Sequence, residues 1–188
     1  MSNEKAFFID RTDPSAWSLV FANLLTIAMA LKFNWSLMEL MWIYWAQSVI
    51  IGVINFIKLI KFPAIALFFL VHYGIFHLVY LVFLAAFTFG GESPINNGSP
   101  IQWSWVWLTA GVFLINHSFS YFYNREKDLA RQNPDALFMF PYARIIPMHL
   151  TLIFGGLMEA VGPFNFPIIF FLSLKTIADL VMHKKEHA

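Results

Sequence analysis

Four side chains that are costly in an apolar setting fall inside four different runs of apolar residues. They are His72, His117, His149 and Asp179, with His183 at the end of the last run. Imidazole and carboxylate without thiolate select borderline metals such as Zn, Fe, Mn or Cu(II). His72, His117, His149, Asp179 and His183 therefore read as ligands of a transition-metal ion, Zn or Fe foremost. Four ligands would close a structural site; three with an open position would activate water or oxygen. Two histidines at matched depth on facing helices would instead hold haem b as an electron carrier, and His117 and His149 match best. The same ionisable groups used in turn would make a transporter or proton relay. The plain alternative is a non-catalytic assembly subunit whose polar residues only bond helix to helix. These readings leave open whether the chain is an enzyme.

Lys175, Asp179 and His183 follow one another at intervals of four, which puts them on one face of a helix. Asp179 on that face is placed to hold the Lys175 ammonium, to orient the His183 ring or to ligate a metal. Against this, Lys175 could snorkel to the headgroups or form a plain structural ion pair. His77 stands five residues beyond His72, roughly 140° round the helix, and is left outside the set. Gln47, Asn55 and Asn116 are further polar groups in apolar runs, suited to hydrogen-bonding around a site. The abundant Phe and Trp are read as lipid contact and core packing.

The elements that carry these residues follow from composition. Of 188 residues 59% are hydrophobic and 12% charged, where a soluble domain has roughly 45–50% and 25%. A soluble fold of this length has too little interior for so much apolar surface. Runs long enough to cross a bilayer extend from about Ala16 to Leu31, Trp35 to Leu59, Pro63 to Phe89, Trp105 to Tyr123, Ala143 to Val161 and Pro163 to Met182. The fold class is thus an all-α integral membrane bundle of six transmembrane helices. Ser36 and Glu39 form a capping box at the second helix, and Pro147 and Pro167 are kink points that membrane helices tolerate. The long connections are Gly90 to Ser104 and Asn124 to Tyr142. The domain plan is a cytoplasmic segment 1–15, a transmembrane domain 16–183 and a tail 184–188.

Orientation follows from the twelve Lys and Arg residues. With the N-terminus inside, ten of them lie on the cytoplasmic side, Lys32 alone lies outside, and Lys175 sits within the sixth helix. Both ends are accordingly expected in the cytoplasm, in the inner membrane of a prokaryotic cell. Trp103, Trp105 and Trp107 read as an outer interfacial anchor. Measured from the cytoplasmic helix ends, His72 lies roughly 13 Å deep, His117 roughly 9 Å, and His149 and Asp179 each roughly 7 Å. Membrane lipid is the expected partner, with a homo-oligomer or larger membrane complex compatible. A net charge of +1 without a basic stripe gives no reason to expect nucleic acid. The absence of Cys excludes disulfides, Fe–S clusters and thiol redox chemistry, and the polar first fifteen residues do not read as a signal peptide.

Tyr44-Trp45-Ala46-Gln47 with Gly52 and Asn55, His72-Tyr73-Gly74-Ile75-Phe76, Pro141-Tyr142-Ala143-Arg144 leading to His149, Gly155 and Gly156, and Lys175-Thr176-Ile177-Ala178-Asp179 with His183 together resemble an uncharacterised family of small multipass membrane proteins, a domain of unknown function. The resemblance runs roughly from Trp35 to His183 and implies shared topology, with no activity to carry over. One departure stands out: the family pattern has Glu two places after the Tyr-Trp pair, where this chain has Gln47. If that Glu is a ligand or proton carrier in relatives, this chain has an altered site. The helix count is only distantly rhomboid-like, because the nucleophile motif that protease needs is missing. The dense histidine boxes of membrane desaturases are missing too.

Overall fold

The structure is a computed structural model that describes residues 14–90, 100–130, 133–161 and 166–187. Among these the chain forms six helices and no strand: α1 (Pro14–Lys32), α2 (Leu37–Leu59), α3 (Pro63–Phe89), α4 (Trp103–Ala130), α5 (Pro134–Val161) and α6 (Phe166–His187). Helices α1, α2 and α3 are each long and apolar enough to cross a membrane. The helix starts follow local chemistry. Pro14, Pro63 and Pro134 each open a helix, where a missing N–H costs nothing. At α2 the expected capping box is formed: the Glu39 amide donates to Ser36 Oγ at 3.1 Å, and the Ser36 amide donates to Glu39 Oε2 at 2.8 Å. Asn34, with φ 51°, takes the left-handed turn that lets the Trp35 amide reach back to the Ala30 carbonyl at 2.9 Å.

Five helices close a ring in the order α1, α4, α2, α5, α6, and α3 lies outside it, packed on α2 with lighter contact to α5. The α2–α3 seam is close because Gly52 has no side chain: a Cβ there would overlap the Tyr73 ring, whose hydroxyl donates to the Ser48 carbonyl at 3.0 Å. The indole N–H groups of Trp42 and Trp45 donate across the same seam, to Thr88 Oγ1 at 2.9 Å and the His77 carbonyl at 3.0 Å. The outer face of α3 presents Leu67, Leu70, Val71, Ile75, Leu78 and Val82. Apolar residues outward and polar residues inward is the arrangement hydrocarbon favours.

At the end where α1 meets α2, Glu39 Oε1 accepts from the Gln102 amide at 2.9 Å and so ties the entry of α4 to the cap of α2. Trp103 packs edge-on against Trp42, and Trp105 stacks on Phe33. Of the three expected interfacial tryptophans, Trp107 alone projects well outward, 67% exposed; the other two hold the helix ends together.

Two helices depart from the boundaries read in the sequence. The stretch from Asn124 to Tyr142, expected as a connection, is largely helical, because α4 continues to Ala130 and α5 begins at Pro134. Polar residues there hid the helices from a search for apolar runs. Helix α5 also runs through Pro141, which has no N–H for the Leu137 carbonyl one turn back. Asn55 of α2 supplies it, its Nδ2 donating to that carbonyl at 2.8 Å. Asn55→Leu should therefore cost about 1–3 kcal/mol by stranding a buried acceptor. In a Pro141→Ala background the new amide closes the helical bond and that cost should shrink. A double-mutant cycle by thermal unfolding in detergent checks this; equal costs in both backgrounds would mean that Asn55 serves something else.

Candidate functional site

The ring closes around a buried ion pair. Lys175 and Asp179 are 4% and 2% exposed, and Nζ stands 2.6 Å from Oδ2. Their four-residue spacing on α6 aligns them, as the sequence indicates. Asn23 of α1 serves both partners: its Oδ1 accepts from Lys175 Nζ at 2.6 Å, and its Nδ2 donates to Asp179 Oδ2 at 3.4 Å and to the Leu19 carbonyl at 3.0 Å. The ammonium also lies over the Tyr44 and Phe113 rings, 4.4 and 4.6 Å from their centroids, where the ring quadrupole attracts a cation. Four helices thus share one lysine.

Beside the pair is a cavity of about 10 Å³, lined by Tyr44, Gln47, Ser48, Pro147, Lys175 and Asp179 among others. That is about the space one water needs. Gln47 links this cavity to a second ionisable group, with its Nε2 3.0 Å from Nε2 of the buried His117. An amide N–H donates, so this imidazole nitrogen is the acceptor and the ring proton is on Nδ1. On the α1–α4 side, Ser18 donates to Asn116 Oδ1 at 2.6 Å and Asn124 Nδ2 to Ser15 Oγ at 3.0 Å. The interior of the ring is therefore polar from α1 across to α6.

The residues expected to share a metal are divided between two places. Asp179 and His117 lie inside the ring. His72 and His149 lie on the seam of α3 and α5, exposed, where His72 Nδ1 is 2.7 Å from Tyr142 Oη and His149 Nε2 is 3.4 Å from Tyr80 Oη. His183 is on α6, with its side chain outside the described residues. Among the described residues no three His, Asp or Glu side chains gather as a metal would require. Depth along a helix says nothing of the direction a side chain takes around it, and α3 stands outside the ring. Asn23 is a functional candidate whose only sequence signal is an amide in the middle of an apolar run. Tyr80 gives no such signal, and Tyr142 stands out only within the Pro141-Tyr142-Ala143-Arg144 motif, since tyrosines at helical spacing look like packing residues.

An all-helical bundle with apolar outward faces, three helices long and apolar enough to cross a membrane and an ion pair buried among its helices has the features of an integral membrane protein. The chain belongs to the family of unknown function DUF6498, which matches over residues 5–188. No curated protein and no solved structure matches it.

Removing one member of the central pair strands the other. Asp179→Ala should destabilise the protein by about 3–5 kcal/mol, the usual cost of leaving a buried charge uncompensated. Replacing both, Lys175→Met with Asp179→Leu, should recover most of that loss. Thermal unfolding of the three proteins in one detergent tests this, and an unshifted Asp179→Ala protein would show that water already reaches the pair.

Proposed function

We propose that this chain is a six-span membrane protein with both ends cytoplasmic, and that it moves protons through the Lys175–Asp179 centre, alone or coupled to a small solute. The observation that carries this reading is an ion pair held out of water beside a water-sized cavity at mid-helix. Lys175 lies nine residues from the start of α6 and Asp179 eight from its end. Charged groups buried within a membrane helix mark ion pathways and proton relays.

The arrangement has two chemically distinct states. With Asp179 ionised, the lysine is held between carboxylate and Asn23. Protonation of Asp179 removes that attraction, and Asn23 Oδ1 with the two aromatic faces remains to hold the ammonium. A proton reaching the cavity thus takes away the charge partner of Lys175 and leaves the ammonium to Asn23 and the two ring faces. Gln47 lines the cavity and also touches His117, and when its amide turns its oxygen towards the ring, Nε2 of His117 can hold a proton as a second stopping place. The neutral amide at position 47 passes hydrogen bonds and holds no charge of its own. A glutamate there would add a third ionisable group.

Two measurements test the proposal. The chain has no native Cys, so single cysteines at Asn97 and Lys185 should label from opposite sides of sealed vesicles; labelling from the same side overturns the topology. In proteoliposomes with an internal pH dye and an imposed potassium potential, the wild type should acidify the lumen. The Lys175→Met/Asp179→Leu protein, which keeps its stability, should fall to the rate of protein-free liposomes. Equal flux in the two proteins would overturn the relay.

A further inference from the structure

Away from the ring, the seam between α3 and α5 carries two histidine–tyrosine pairs built in opposite senses. In one, α3 provides His72 and α5 provides Tyr142; in the other, α3 provides Tyr80 and α5 provides His149. Phe76 lies between them, 36% exposed, with its ring centroid 5.2 Å from that of His72 and 6.4 Å from that of His149. Phe68 and Phe138 flank the lower pair, their rings lying near-parallel to that of His72. Both imidazoles are exposed on a surface that is otherwise apolar. Each uses one ring nitrogen on its tyrosine and has no protein partner for the other among the described residues.

A polar nitrogen facing hydrocarbon is costly unless something bonds it. With each tyrosine hydroxyl donating to the imidazole nitrogen beside it, the outer nitrogen, Nε2 of His72 and Nδ1 of His149, carries the proton and is a donor. In that tautomer each exposed ring offers one donor, and the two rings stand no more than about 12 Å apart, since their centroids are 5.2 and 6.4 Å from that of Phe76. A planar ring with oxygens at opposite ends spans about 11 Å from donor to donor, counting two hydrogen bonds of about 2.8 Å. Its face would stack on Phe76.

We infer that the α3–α5 seam is a binding site for a lipid-soluble, para-dioxygenated aromatic ring of the quinone class, held by His72 and His149 through its two oxygens and by Phe76 through its face. The site faces the bilayer, so such a ligand enters laterally without opening the ring of helices. The inference stands apart from the relay, since none of these three side chains lines the central cavity.

The test uses the full chain in phosphatidylcholine nanodiscs, with menadione as the probe and quenching of tryptophan fluorescence as the signal. Wild type should show a saturable component, and methylnaphthalene, which has the rings without the oxygens, should show none. His72→Phe and His149→Phe should each weaken binding about threefold to tenfold through the lost hydrogen bond, and the double substitution should abolish the saturable component. Leu78→Ala, on the exposed face of α3 and turned about 160° away from Phe76, should leave it unchanged. Both histidines are exposed, so phenylalanine disturbs little packing. If either variant fails to fold, Tyr142→Phe and Tyr80→Phe take its place: each frees the imidazole to take either tautomer, so a smaller weakening in the same direction is expected, and unchanged binding in both would overturn the inference. Linear quenching in the wild type overturns the inference, as does saturable binding that survives the double substitution or extends to methylnaphthalene.

Discussion

Hydrocarbon offers no hydrogen-bond partner, so a polar atom that enters it must be met by another part of the chain, and α2 is the helix that meets most of them. Its side chains and carbonyls reach three neighbours. Gln47 meets His117 of α4, and Asn55 takes the carbonyl that Pro141 frees in α5. The Ser48 carbonyl accepts from Tyr73, and Trp42 donates to Thr88, both of α3. Apolar contact in a bilayer discriminates weakly between one neighbour and another, because lipid tails are as apolar as leucine. These directional bonds single out the neighbours of α2, and Gly52 sets how near α3 can come.

The polar groups that remain fall into two kinds of surroundings. Those around Lys175 are buried and bonded to one another, with Asn23 arranged so that its oxygen meets the cation and its nitrogen the anion. Those on the α3–α5 seam are only half satisfied, because each imidazole has one nitrogen on a tyrosine and one facing outward. A closed network suits a site where charge is rearranged within the protein. An open one suits a site that meets something arriving from the membrane.

Much of this was legible in the residues. The six helices, the Ser36–Glu39 cap and the shared face of Lys175 and Asp179 follow from apolar runs, a local motif and a four-residue spacing, all of which act within one helix. The length of α5 was not, because Pro141 reads as a boundary until Asn55, more than eighty residues away, is seen to take up the freed carbonyl. The sorting of the histidines was not legible either. His72 and Asp179 fall in the same half of the bundle by residue count, yet α3 stands outside the ring and α6 within it, and only the packing of the helices decides that. Depth is a property of one helix and azimuth a property of several.

The Lys175–Asp179 bond is made within a single helix, and this bears on how the protein is assembled. Each charge taken alone would add roughly 2.5–3.5 kcal/mol to the insertion of a helix at the bilayer centre. A partner four residues away is in place as soon as α6 is helical, so on the six-span reading the segment would enter the membrane with its two charges already paired. Asn23 then joins when α1 docks alongside, in a later and purely lateral step. Had the carboxylate been on α1, that helix would have carried an unpaired charge until α6 was made.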